Sequence, residues 1–295
     1  MEGRKNKVLD QVIWLNVVWM TSLHALAFFA ITQLPKAHPG TVLWEYFYYV
    51  MAGLGITAGV HRLWSHRAYK ARLPIKMLLA VFNSMAFQNS IFDWARDHRV
   101  HHKFSDTDAD PHNAKRGFFF CHVGWLMVRK HPDVIEKGKS IDLSDLYNDP
   151  VVMLQHRHYK AAVILMCFVV PSAVPLLWGE NLWVSFLMSI LRYCIQLNVT
   201  WCVNSVAHMW GNKPYDKSIL PTENMWVNFF AIGEGFHNYH HVFPYDYATS
   251  EYGFRYNLTT TLIDCMAFLG LVSDRRTVNP EAIKGRKQRT GGLSD

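Results

Sequence analysis

Nine of the 16 histidines in this 295-residue chain fall into a pattern that could do metal chemistry. His61 and His66 form H-x4-H in HRLWSH. His98, His101 and His102 form H-x2-HH in HRVHH, and His237, His240 and His241 repeat that form in HNYHH. His208 stands alone in NSVAH, a short step after Asn204. On an α-helix, positions i, i+3 and i+4 share one face. Each H-x2-HH box is therefore expected to aim three imidazoles at one point. The i, i+5 spacing of His61 and His66 shares an α-helical face poorly, which predicts that this pair sits at a helix end.

Imidazole suits Zn, Cu, Fe and Ni. Burying many neutral imidazoles without partners is costly, and a metal cluster removes that cost. One zinc takes about four ligands, so nine histidines fit two ions of four or five ligands each. Two irons on neutral ligands keep a high positive charge. That favours binding and reductive activation of O2, giving an oxidant able to take hydrogen from an unactivated CH2. Ligand preference alone leaves two zincs or two coppers open. Asp97, Asp106 and Asp110 could orient ligand histidines through the far ring nitrogen. Glu234 has the E-x2-H spacing of soluble di-iron carboxylate bundles, but in a single copy, so it is expected behind the ligands at most. The other histidines, His24, His38, His112, His122, His131, His156 and His158, are expected as ordinary hydrogen-bonded side chains. Asp106, Asp108 and Asp110 do not make a calcium loop, because Pro111 and Gly117 stand where Gly and Glu are needed.

The elements that must hold these residues are read from hydropathy. Half of the chain is apolar and only 18% is charged, against about 25% in soluble domains. The net charge of +7 accompanies long apolar runs, so it suits an anionic membrane surface better than nucleic acid. Five cysteines without a CxxC pair exclude a disulfide framework or a zinc–thiolate site. A spanning helix needs ~20 apolar residues. Four such spans are expected, at about 11–35, 42–60, 161–179 and 182–204, with Glu45 at an interface and Arg192 interrupting the last. Residues 77–92 are apolar but too short, and are expected to dip into the bilayer and return.

Arg4, Lys5 and Lys7 place the N-terminus in the cytosol. Two spans then return the chain there near His61, and Arg62, Arg67, Lys70, Arg72 and Lys76 follow. With a dip at 77–92, the box at 98–102 stays on the same side as His61. The expected fold is one domain over 1–295, an all-α integral membrane protein. Four transmembrane helices are capped by a cytosolic helical domain, 61–160 and 205–295, that holds the histidine site. No strand alternation is evident, and the basic tail 284–295 is expected to be frayed.

GITAGVHRLWSHRAYKA, NSIFDWARDHRVHHKFSDTDADPHN, RGFFFCHVGWLMVRKHP and GEGFHNYHHVFPYDY resemble the animal membrane acyl-CoA desaturase family. The resemblance runs from about residue 10 to 290. It implies four helices in the endoplasmic reticulum membrane, with both termini and the active site cytosolic. It implies a di-iron site held by His61, His66, His98, His101, His102, His208, His237, His240 and His241, with Asn204 acting through a water. It implies that Asn16, Asn89, Arg96, Asp97, Arg129 and Lys130 meet the CoA head group. A bent acyl tunnel would pass Gln88, Trp94, Thr200 and Trp201 and close at Tyr49 and Gly53. The small Gly53 predicts tolerance of C18 or longer chains.

The activity so implied is O2-dependent insertion of a double bond, cis-Δ9 by family default, into a long-chain saturated acyl-CoA. Electrons would come from NADH through cytochrome b5 reductase and cytochrome b5, since no nicotinamide or flavin fingerprint occurs here. A desaturase of other regiospecificity such as Δ11, or a fatty acyl hydroxylase or conjugase, would use the same site. A histidine-lined metal transporter would need histidines within the spans, whereas the boxes lie beyond their ends. A catalytically silent scaffold would hold no iron.

Overall fold

The computed structural model describes residues 11–291; Arg4, Lys5 and Lys7 and the last residues of the tail lie outside the described residues. Three helical runs among them are long and apolar enough to cross a membrane: Trp14–Lys36, Pro150–Trp178 and Leu182–Met209. Helix α1 (Trp14–Gln33) is uncharged, and only Leu23, Ala27 and Ala30 are buried. That one stripe packs on protein, and the remaining apolar surface is left for lipid.

The second expected span differs from the others. Helix α2 (Pro39–Leu54) runs without a break into π-helical turns over Gly55–Ser65, and every residue of those turns is buried. Glu45, His61 and Arg62 lie within this run. It is encased by protein at one end, and Glu45, together with the tyrosines and glycines of the run, lowers its hydropathy, so length and composition mark three membrane helices where four were expected. Its start is tied to the end of the Pro150–Trp178 run. The His38 amide donates to Glu180 Oε2 at 2.7 Å, and Trp178 Nε1 donates to Thr41 Oγ1 at 3.0 Å.

Helix α3 (Leu73–Ala86) has 14 residues. At 1.5 Å per residue that is about 21 Å, short of the ~30 Å hydrocarbon core. The chain then turns through left-handed Phe87 and Asn89 into α4 (Ile91–Lys103), capped by Ser90. Helix α3 lies backbone-to-backbone on the π-turns. A Cβ at Gly55 would stand 2.2 Å from the Asn83 amide nitrogen, so only glycine permits the contact.

Helix α5 (Pro150–Val163) continues through π-turns and short helical turns to Trp178. Helix α6 (Leu182–Asn204) then packs along α1 and α2. The single charge within α6 is not stranded. Arg192 is fully enclosed and reaches Glu45 Oε2 (3.3 Å) and the carbonyls of Cys167 (3.0 Å) and Met85 (3.3 Å). An intramembrane charge is expected to be paired in this way.

The cap is built from short helices: α7 (Val206–Met209), α8 (Met225–Phe230), α9 (His237–Val242), α10 (Leu258–Phe268) and α11 (Pro280–Thr290). A two-residue ribbon, β1 (Lys70–Ala71) with β2 (Val272–Ser273), departs slightly from the all-helical expectation. The tail departs from it more. Residues 284–290 are not frayed but belong to α11, which Asn279 caps and which Arg286–Asp216 and Lys287–Glu251 ion pairs hold to the cap.

Candidate metal centre

His61 lies in the π-helical turns and His66 caps their end. The His66 amide donates to the His61 carbonyl at 3.1 Å, an i→i−5 bond. A π-turn is closed by an i→i+5 bond, so H-x4-H spans one such bond and little more than one turn of this helix. The two rings stand 4.9 Å apart, centroid to centroid. The pair is at a helix end, as its spacing predicts, and the wider turn is what brings both rings to one side.

The two H-x2-HH boxes behave differently from the expectation that each aims at one point. His61, His66, His98, His102 and His240 form one nest, and His101, His208, His237 and His241 form another. Each box is divided. Helix α4 sends His98 and His102 to the first nest and His101 to the second; α9 sends His237 and His241 to the second and His240 to the first. Helix geometry explains the division. At about 100° per residue, i and i+4 lie about 40° apart around the axis, while i+3 lies about 100° from i+4. Facing helices thus exchange their middle histidines, and each box bridges both nests.

The nests converge on Nε2 atoms. In the first, His61–His240, His66–His98 and His102–His240 Nε2 pairs are 2.9, 2.8 and 2.9 Å apart. In the second, His208–His237, His237–His241 and His101–His241 are 3.0, 3.1 and 3.3 Å apart. Burial, reinforced by neighbouring histidines, holds His66, His98, His102, His237, His240 and His241 well below the usual imidazole range. These rings are neutral and present lone pairs. Five and four imidazole nitrogens aimed at two points suit two metal ions of the kinds that take nitrogen ligands.

Carboxylates hold the far nitrogens. Glu234 Oε2 is 2.9 Å from His61 Nδ1, and Oε1 accepts from Arg62 at 2.7 and 3.1 Å. Burial would raise Glu234, but Arg62 and His61 outweigh it and keep the carboxyl at about 2. Asp110 Oδ1 is 2.9 Å from His101 Nδ1, and Asp106 Oδ1 is 3.3 Å from His208 Nδ1. Burial works against both carboxylates, and the facing histidines still hold them below the usual range. Asp97 takes no such role and pairs with Arg96 (3.0 Å) and Lys130.

Arg62 escapes a reading by histidine spacing. It is fully buried and donates to Glu234, the Tyr247 carbonyl (3.0 Å) and Thr260 (2.9 Å). The available signal was a charge inside the otherwise uncharged π-helical turns Gly55–Ser65. His112 also differs from a routine core residue. It lies partly buried, 3.6 Å from Asp110, beside the second nest. His38 and His131 are helix caps, His24, His122 and His156 are hydrogen-bonded, and these fit the ordinary expectation.

Two cavities meet at the nests. The outer one is lined by Asn16, Gln88, Asn89, Trp94, Asp97, Thr200, Trp201 and Asn204. The inner one is lined by Trp94, Thr200 and Asn204 again, then by His61, His101, His237, Gly53 and Tyr49. Trp94 stacks on His98 at 4.7 Å, and Gln88 Nε2 donates to Thr200 Oγ1 at 3.0 Å where the cavities join. Arg96, Arg129 and Lys130 line neither cavity. Lys130 meets Asp97, which lines the outer one, and the Arg129 amide pairs with Gln11 beside the start of α1.

These features define a helical membrane protein with two histidine nests for metal beside two joined, mostly apolar cavities. The sequence profile described as Fatty acid desaturase matches residues 37–256. The chain is 61% identical over 284 residues to stearoyl-CoA desaturase 5 of Bos taurus, covering 96% of this chain and 85% of that protein. It is 60% identical over 287 residues to stearoyl-CoA desaturase 5 of Homo sapiens, covering 97% and 87%. An acyl-CoA desaturase of Cyprinus carpio is 60% identical over 283 residues, covering 95% and 86%. The chain belongs to the fatty acid desaturase family.

Proposed function

We propose that this protein is a fatty acyl-CoA desaturase that uses O2 and two electrons to insert a cis-Δ9 double bond into a long-chain saturated acyl-CoA. The observation that carries the reading is the joining of the two cavities to both histidine nests at Trp94, Thr200 and Asn204. An acyl chain threaded through them would present one CH2–CH2 unit to the ions. Two irons in the nests would supply the activation of O2 that removes two hydrogens. The balance is one acyl chain, O2, two electrons and two protons in, and one alkene and two waters out.

The chain's own residues position the reaction. Glu234 and Asp110 hold the rings of His61 and His101, and Asp106 faces His208, so these three ligands are oriented by the protein. Asn204 faces the same cavity and would act on the second ion through a water. Trp94 and the Gln88–Thr200 hydrogen bond set the bend, and the bend selects the carbon. Asn16, Asn89, Arg96, Asp97, Arg129 and Lys130 would meet the CoA head group at the mouth, where guanidinium and ammonium groups suit phosphate.

The functional fold would be four membrane helices in the endoplasmic reticulum, with residues 42–60, α2 and the start of its π-turns, serving as the second. The cap and both termini would be cytosolic. Electrons would arrive from NADH through cytochrome b5 reductase and cytochrome b5, and the net positive charge here would suit an acidic carrier. Expression in a desaturase-deficient yeast tests the activity. Monounsaturated C16 and C18 acids with the bond at carbon 9 are expected. A hydroxylated product, or no unsaturated product from folded, iron-loaded protein, overturns the reading.

A further inference from the structure

Ile232 occupies a backbone conformation that a β-branched side chain resists, with φ at +50°. The surrounding contacts leave it no alternative. Its carbonyl accepts from both the amide (3.3 Å) and the hydroxyl (2.9 Å) of Thr259. The Thr259 hydroxyl also meets that of Thr57 at 2.7 Å, and Thr57 lines the inner cavity. On the other side Gly233 has no room for a Cβ, which would fall 2.2 Å from Asn257 Oδ1. Glu234 follows, pinned to His61 and Arg62. Strain held by neighbours in this way marks a position whose side chain has a task.

The side chain stands at a boundary. Ile232, Tyr49 and Phe230 line the inner cavity, and the same three line a lateral groove. That groove runs between α2, α6, α8 and the start of α10, past Val42, Tyr46 and Ile195. Tyr46, Ile195, Phe229 and Phe254 are exposed along it, so it opens toward lipid. Tyr49 is fastened to the same loop, its hydroxyl donating to the Phe230 carbonyl at 2.7 Å. Ile232 Cδ1 lies 3.0 Å from where a Cβ on Gly53 would stand. The space that Gly53 leaves open is therefore filled by Ile232.

We infer that Ile232 is a specificity-determining residue whose side chain closes the far end of the acyl cavity against the membrane-facing groove and so sets the longest acyl chain accepted. The inference rests on the acyl-CoA desaturase reading above. Shortening Ile232 joins the cavity to the groove, and the end of a C20 or C22 chain can run on along a wall that is mostly apolar, with the Glu45–Arg192 pair also part of its lining. Adding a methyl at Gly53 has the opposite effect, because it drives Cδ1 into the end of the cavity.

The test is a competition among C16, C18, C20 and C22 acyl-CoAs in detergent-purified, iron-loaded full-length protein, scored as product ratios. Ile232→Val removes Cδ1 alone and keeps the β-branch, so it preserves the fold. It is expected to raise the C20:C18 product ratio at least about threefold, and Ile232→Ala further, since a single methylene in an apolar pocket is worth that much discrimination. Gly53→Ala should lower C18:C16, and Gly53→Ala/Ile232→Val should restore it, because the colliding atom is gone. Unchanged C20:C18 in Ile232→Val, or no restoration in the double variant, overturns the inference while wild-type desaturation stands. A wild type that makes no unsaturated product overturns the activity reading, and this inference with it.

Discussion

Arg62 and Glu234 carry the heaviest electrostatic load beside the histidines, because both are buried and each satisfies the other. Breaking a buried pair by removing one partner leaves the other uncompensated and costs about 3–5 kcal/mol. Arg62→Met is therefore expected to destabilise the protein by about that amount. It should also loosen His61, whose Nδ1 shares the same carboxylate. Thermal unfolding in detergent and iron content per chain would check both. An unchanged melting temperature would show that the pair is not what holds this corner. By contrast, the Lys139–Glu136 pair is exposed on both sides, and such pairs contribute little.

At the scale of elements, the π-turns are the unusual device. Their turns, wider than those of an α-helix, put His61 and His66 on one side, and Gly55 lets α3 press against them. Deleting Leu63 would shorten the spacing by one residue and turn one ring away from the first nest. The second nest draws on α4, α7 and α9 only. With one of its five rings gone the first nest keeps four, enough to hold an ion but more weakly, so chelator titration of the deletion variant is expected to release one ion earlier than in the intact protein and leave the other unchanged; identical release curves would contradict the π-turn account.

Helix α9 supplies a pH-dependent element. Glu223 Oε1 accepts from the Tyr239 amide at 2.8 Å, and burial lifts its carboxyl to about 8. A carboxyl raised above its ordinary 4.5 binds its proton more tightly when folded. Its contribution to stability is full below that value and is lost as pH rises through about 8. Glu223→Gln keeps the acceptor and removes the titration. Its melting temperature is expected to fall less than that of the wild type as pH rises through this window, and parallel curves would refute the assignment.

For the whole molecule, the decisive feature is that both nests lie at one end of the helices. The opposite end carries the turns at 34–38 and 179–181, joined by His38 and Glu180. Four crossings would make these turns luminal and the cap cytosolic. A glycosylation acceptor inserted after Ala37 is expected to be glycosylated in microsomes, and one appended to the C-terminus is expected to stay bare. A glycosylated C-terminus would place the cap on the wrong side for the proposed electron supply.

The amino-acid sequence determined the long apolar runs, the nine histidines and the family resemblance, because hydropathy and ligand type are local properties of side chains. Spacing alone also assigned the helix-end position of His61 and His66 and the stacking of each box on a helix. Which ring serves which nest was decided only in three dimensions. The i+3 histidine of each box can be read as a neighbour of i or as a bridge, and the facing helix makes it a bridge. The same holds for Arg62, Glu234 and Ile232. Their roles arise from partners far along the chain, Glu234 for Arg62, His61 for Glu234 and Gly53 for Ile232, and no local period encodes such contacts.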